Sequence, residues 1–217
     1  MCKPGFSGKR CAECLYNIFF VFSLFFLNPI FYIYKDIGLK FVIDTVILNR
    51  AEMISLFSMT GLKKTNLLYR ASRDGFTAAA FHSKCDYKAK TITLIKTNNN
   101  YVIGGYTSQA WTSLGVFKAD ETAYIFSLRR NGVSTLFSYG IRSTPANVTP
   151  AYSSRALYTL YGLLGPSFGN GDILVENRSD VNASSSVYNT YNTGADSVFG
   201  IPMPKWYTND IEVFQIV

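Results

Sequence analysis

One histidine, His82, stands three residues before Cys85, the only cysteine after position 14. A Ser-His-Asp triad would have to use His82, with Ser72, Ser83 or another serine as nucleophile, and no Gly-x-Ser-x-Gly elbow is present. His82 therefore reads as a structural or surface histidine. A reactive thiol needs positive charge or a helix N-terminus to lower its pKa. Lys84 and Lys88 are near Cys85 in sequence, but the predicted helix ends there, where the dipole disfavours a thiolate. A buried packing role suits Cys85 better. Asp120-Glu121 is an adjacent acid pair, and neighbours in an extended chain point to opposite faces, so a loop cap is expected. Gly165-Pro-Ser-Phe-Gly-Asn-Gly-Asp172 lacks the Lys-Ser/Thr of a phosphate loop and the Gly-x-Gly-x-x-Gly of a dinucleotide site. Its glycines, like Gly104-Gly105, suit positive φ and close backbone approach. Cys11-x-x-Cys14 has no second Cys or His pair to complete a tetrahedral zinc site. Neither a catalytic constellation, a metal nor a cofactor is expected.

The elements that must position these groups are legible in part. Asn49 reads as a helix N-cap, with Glu52 completing a capping box and Gly61 ending the helix. Met53, Ile54 and Phe57 would share its inward face. From Leu67 an apolar strand leads into a charged turn, Arg70-Ala-Ser-Arg-Asp74, closed by Gly75. Thr77 then caps a short helix through Ala78-Ala-Ala80, with Phe81 and Cys85 on one face. Thr91–Lys96 and Tyr101–Tyr106 flank Asn98-Asn-Asn100 and predict a β-hairpin. Ala123–Leu128, Arg155–Tyr161 and Ile211–Val217 are further strand candidates, with Ile173–Val175 after the glycine-rich loop. Arg129-Arg130, beside Asn131-Gly132, reads as a solvated turn. Residues 177–192, rich in Asn and Ser, read as a surface loop.

The string Leu67–Asp86, the hairpin, Trp111, Phe117–Leu128, the loop Gly165–Asp172 and the closing strand resemble, in order, the elements of the TLDc domain, the module of the oxidation-resistance protein family. The resemblance implies an α+β fold, two antiparallel β-sheets packed as a sandwich with a few short helices. It implies a non-enzymatic regulatory module, linked to oxidative-stress resistance, that binds the peripheral sector of the vacuolar proton pump, the V-ATPase. Partner contacts are expected at the charged turn, Arg70, Arg73 and Asp74, and at the glycine-rich loop, through Gly165, Phe168, Gly169, Gly171 and Asp172. The alternative readings are an enzyme with an acid-based site around Asp120, Glu121 and Asp172, and a membrane-anchored extracellular adhesion protein.

The domain is assigned to residues 49–217. Eight Lys and Arg against four acids precede Thr65, and thirteen against ten follow, so the domain is only slightly basic. No dense basic run marks a nucleic-acid footprint. Aromatic residues make up 16% of the chain, which favours strands. The prefix differs. Residues 1–14 resemble the closing part of a laminin-type EGF repeat, and 15–34 are apolar, uncharged and long enough for a bilayer-crossing helix. That segment could be a signal anchor or single-pass helix, a cleaved signal peptide, or a translated intron. If it is expressed, the protein would be membrane-associated with the TLDc domain in the cytosol; otherwise it would be cytoplasmic. Asn147, Asn177 and Asn182 open glycosylation sequons, which matter only outside the cytosol.

Overall fold

The computed structural model describes residues 43–61, 64–143, 152–159, 163–187, 189–194, 197–200 and 205–217. Residues 1–14 and 15–34, read above as an EGF-like fragment and a membrane segment, lie outside them. Among the described residues no helix is long and apolar enough to cross a membrane.

Helix α1 (Arg50–Thr60) begins as its sequence dictates. The Asn49 side chain accepts the Glu52 N–H at 3.0 Å, and the Glu52 carboxylate accepts the Asn49 N–H at 2.9 Å, satisfying two donors that the first turn leaves open. Gly61, at φ 63°, closes the helix with its N–H on Phe57 O. The inward face differs from the expected stripe. Glu52, Leu56 and Phe57 are buried, and Ile54 is 47% exposed. The cause is Arg129, whose guanidinium takes both Glu52 oxygens at 2.7 and 2.6 Å and draws the carboxylate under the helix. Arg129 is thus an internal anchor and not part of a solvated turn.

Among the described residues nine strands follow: β1 (Thr65–Arg70), β2 (Thr91–Thr97), β3 (Val102–Thr107), β4 (Val116–Lys118), β5 (Tyr124–Arg130), β6 (Val133–Gly140), β7 (Leu157–Thr159), β8 (Ser167–Phe168) and β9 (Thr208–Ile216). Helices α2 (Ala71–Asp74) and α3 (Ala78–Cys85) lie between β1 and β2, and a 3-10 turn, Tyr152–Arg155, precedes β7. One sheet has six strands in the order β1-β9-β2-β3-β5-β6, the other three in the order β4-β7-β8. All pairings between these strands are antiparallel. The closing strand is longer than its sequence suggests and is not peripheral. It inserts between β1 and β2, so the end of the domain locks its beginning.

Two apolar layers hold these parts. One lies between the sheets and joins Ile95, Ile103, Ile125 and Val213 of the large sheet to Leu157 and Phe168 of the small one, around Trp111 and Trp206. The other packs α1, through Leu56 and Phe57, on Ile92, Leu94, Phe126 and Phe214. Strand β2 is therefore covered on both faces, and its threonines are buried as well as its apolar residues. At the β2–β3 crossing, a Cβ on Gly104 would stand 2.0 Å from Thr93 O, and one on Gly105 would stand 2.6 Å from the Phe168 ring. Both positions need glycine for space, and Gly105 is where the second sheet rests on the first.

Residues 177–192 are not simply a surface loop. Ser179, Ser184, Ser186, Thr190 and Tyr191 are buried. The segment folds inward because its hydroxyls find partners: Ser179 Oγ lies 2.7 Å from Thr208 Oγ1, and Ser184 Oγ accepts the Glu176 N–H at 3.1 Å. Buried polar groups are tolerated when so paired.

Candidate functional site

The charged turn is built by β1 running straight into α2. Asp74 accepts the Arg70 N–H at 3.0 Å and the Arg73 guanidinium at 3.0 and 2.7 Å. The Arg73 hydrogen bonds hold the Asp74 carboxyl below its ordinary range, against a smaller opposing effect of burial. Arg70 turns inward, donating from Nε to Glu212 at 2.8 Å and from Nη2 to the Asp44 carbonyl at 2.7 Å and carboxylate at 3.1 Å. Glu212, fully buried on β9, also accepts the Thr45 hydroxyl and the Val46 N–H. Burial pushes its carboxyl above the usual range despite these donors. Ser72 donates its N–H and hydroxyl to Asp210. Arg70 and Asp74 side chains are 14% and 11% exposed, and Arg73 is 49% exposed. Of the three turn residues, Arg73 alone presents its charge to solvent.

The glycine-rich loop is also internal. Phe168 and Ile173 exchange backbone bonds, and Gly169 and Gly171 take φ 68° and 100° to turn between them. Asp172 is fully buried, and its carboxylate accepts backbone N–H groups of Asn189, Thr190 and Tyr191 at 2.8–3.2 Å. Burial raises the Asp172 carboxyl pKa in spite of those bonds. A Cβ on Gly169 would stand 2.1 Å from Asp172 Oδ2. Gly165, Phe168 and Gly169 are buried and Gly171 half-buried. The carboxylate thus ties two loops together.

Helix α3 and the glycine-rich loop meet through Trp111. Its ring lies edge-on to Phe81 of α3 at 5.2 Å and to Phe168 at 5.6 Å, and its Nε1–H donates to Thr91 Oγ1 at 2.9 Å. Thr77 caps α3 by accepting the Ala80 N–H, and Phe81 and Cys85 are both buried. The motifs that stand apart in sequence are packed around one indole.

The groups that could do chemistry are committed elsewhere. His82 Nδ1 lies 2.7 Å from Asp86 Oδ1, and Ser113 Oγ donates to the other Asp86 oxygen. The carboxylate stands in the middle of this chain, whereas nucleophile activation requires the imidazole there. Ser72 bonds Asp210, and Ser83 bonds Ala80 O. Cys85 is fully buried, and burial drives its thiol pKa well upward. Asp120 accepts Thr107, Ser108 and Thr122 hydroxyls and the Ser108 and Thr122 N–H groups, while Glu121 is exposed. Burial opposes its charge, but the Thr122, Thr107 and Ser108 bonds outweigh it and the Asp120 pKa is lowered. Among the described residues no group of three His, Cys, Asp or Glu could hold a metal ion. Asn177, the first residue of a sequon, accepts the Ala78 N–H at the start of α3.

The sequence did not reveal Glu212 and the segment before Asn49 as partners of Arg70, because nothing local marks a contact spanning the domain. Nor did it single out Tyr87 and Lys90, non-glycine residues at φ 64° and 53°.

The fold and these motifs define a two-sheet α+β domain of a known kind. The TLDc domain model matches residues 44–217, and the chain belongs to the TLDc family. No curated protein matches the chain. The match gives no support to the EGF-like fragment at 1–14 or the membrane-spanning segment at 15–34, and both readings are withdrawn.

Proposed function

We propose that this chain is a non-enzymatic regulatory module that binds the peripheral sector of the V-ATPase and acts in resistance to oxidative stress. The reading is carried by the family match across residues 44–217, which takes in every described strand and helix. The internal use of His82, Cys85, Asp120 and Asp172 supports it, since each serves the fold. The acid-based enzyme reading has no comparable support, because Asp120 and Asp172 sit in separate hydrogen-bond knots. The domain would face the cytosol, where the pump's peripheral sector lies.

Within this reading the charged turn and the glycine-rich loop act unequally. Arg73 is the contact the turn offers, because its side chain is 49% exposed. Arg70 and Asp74 set the shape of the turn, Gly165, Phe168, Gly169 and Asp172 set that of the loop, and Gly171 lies half-buried within the loop. The test is capture of pump subunits from cell extract on the full-length chain, read by mass spectrometry. Enrichment of peripheral-sector subunits, reduced by Arg73→Glu in a folded variant, is expected. Absence of those subunits with a folded bait refutes the proposal, and capture untouched by Arg73→Glu removes Arg73 from the contact.

A further inference from the structure

The segment between α3 and β2 carries an exposed feature that the charged turn and glycine-rich loop do not share. Tyr87 is 84% exposed and Leu114 is 74% exposed. They project from two chain segments bonded to each other. Tyr87 N–H donates to Trp111 O at 2.9 Å, Trp111 N–H to Lys88 O at 3.3 Å, and Lys90 N–H to Ser108 O at 3.4 Å. Ser113 is tied to Asp86, and Ile216 N–H of β9 donates to Lys90 O at 2.9 Å. Beneath this ladder lies buried Trp111. The platform is therefore fixed to the core on two sides.

Two observations set it apart from an ordinary loop. Tyr87 and Lys90 both hold positive φ, a conformation that glycine adopts freely and a tyrosine does not. Their side chains nevertheless point to solvent, so burial does not explain why these residues stand there. Lys84, Lys88 and Lys90 are all exposed. None of the ion pairs among the described residues involves them. The nearby acid, Asp86, is engaged by His82 and Ser113. The result is an exposed aromatic and aliphatic pair on backbone tied to the core, flanked by three exposed lysines of which Lys84 faces only the distant field of Asp74, itself taken up by Arg73.

We propose that Tyr87 and Leu114, rimmed by Lys84, Lys88 and Lys90, form a docking platform for an acidic protein segment that carries apolar side chains. Charge complementarity selects acidic residues, which would steer approach and pair with the rim. A tyrosine has only two side-chain torsions to fix, so it loses little freedom on binding and serves as the anchor. Three lysines around two apolar side chains are too sparse for an anionic membrane, which is recognised by denser basic clusters. This goes beyond pump binding, and its test does not use the pump, so the two proposals stand or fall separately.

The probe is a fluorescein-labelled peptide of alternating Glu and Leu, with a Gln-for-Glu peptide as control, titrated with the full chain by fluorescence anisotropy. Binding of the acidic peptide alone is expected, weakening at least tenfold between about 0.05 M and about 0.5 M salt as screening increases. Lys88→Glu should weaken it by about tenfold. Tyr87→Gly should weaken it by at least about tenfold while leaving thermal stability unchanged or raised, since glycine accepts the positive φ. Equal binding of both peptides, or affinity untouched by Tyr87→Gly and Lys88→Glu, overturns the proposal. So does tight binding to phosphatidylserine vesicles without binding to the peptide, which would assign the platform to a lipid surface.

Discussion

Gly169 and Asp172 show how tightly single residues are determined. Gly169 needs both its positive φ and the absence of a Cβ, because the Asp172 carboxylate fills that space. Gly169→Ala is expected to cost about 3 kcal/mol or more, combining backbone strain with overpacking, seen as a shifted denaturation midpoint. Asp120 makes a pH prediction. Its folded pKa is lowered, as is that of Asp74. The unfolded chain therefore binds protons first on acidification. The stability these carboxylates supply is fully present above the ordinary Asp value of about 3.9 and is lost as pH falls through their folded pKa values. Asp120→Asn should reduce stability at neutral pH and flatten its dependence below about pH 4, measured by urea denaturation across that range. At this scale the sequence was legible where a residue's task is local. Thr77 and Asn49 cap the helices they precede, and Cys85 is buried as expected. It was silent where the task is distant: nothing near Arg70 in sequence announces Glu212.

The elements were legible in the same graded way. The capped helix α1, the hairpin β2–β3 and the closing strand follow from capping, alternation and turn residues. Strand β6 was not anticipated, because its partner surface supplies the reason for it. Val133, Leu136 and Phe137 remain exposed at the sheet edge, so its sequence lacks the alternation that marks a half-buried strand. Residues 177–192 misled for the opposite reason, since polar composition does not distinguish a solvated loop from one whose hydroxyls are satisfied inside. Helix α1 depends on a contact of this distant kind. Arg129 occupies both oxygens of the fully buried Glu52 carboxylate, and Ser134 donates to one of them. Arg129→Ala leaves that carboxylate with its charge uncompensated and is expected to cost about 3–5 kcal/mol. Replacing Glu52 and Arg129 together by apolar residues should cost less than Arg129→Ala alone, and denaturant titration of both variants decides this.

For the whole molecule, chain topology explains why the motifs occur in their order. Strand β9 closes the sheet against β1 and β2. The segment before Asn49 is bonded to Glu212 on that strand and to Arg70 at the end of β1. The glycine-rich loop and α3 meet on Trp111. These arrangements bury His82, Cys85, Asp120 and Asp172 and leave Arg73, Tyr87 and Lys84, Lys88 and Lys90 exposed. The most direct test combines the purified full-length chain with the purified peripheral sector of the V-ATPase. It reads co-elution by size exclusion and the effect on ATP hydrolysis. The account expects a stable complex and altered hydrolysis, with both effects reduced by Arg73→Glu. Separate elution at micromolar concentrations, with hydrolysis unchanged and the chain folded by circular dichroism, would contradict it.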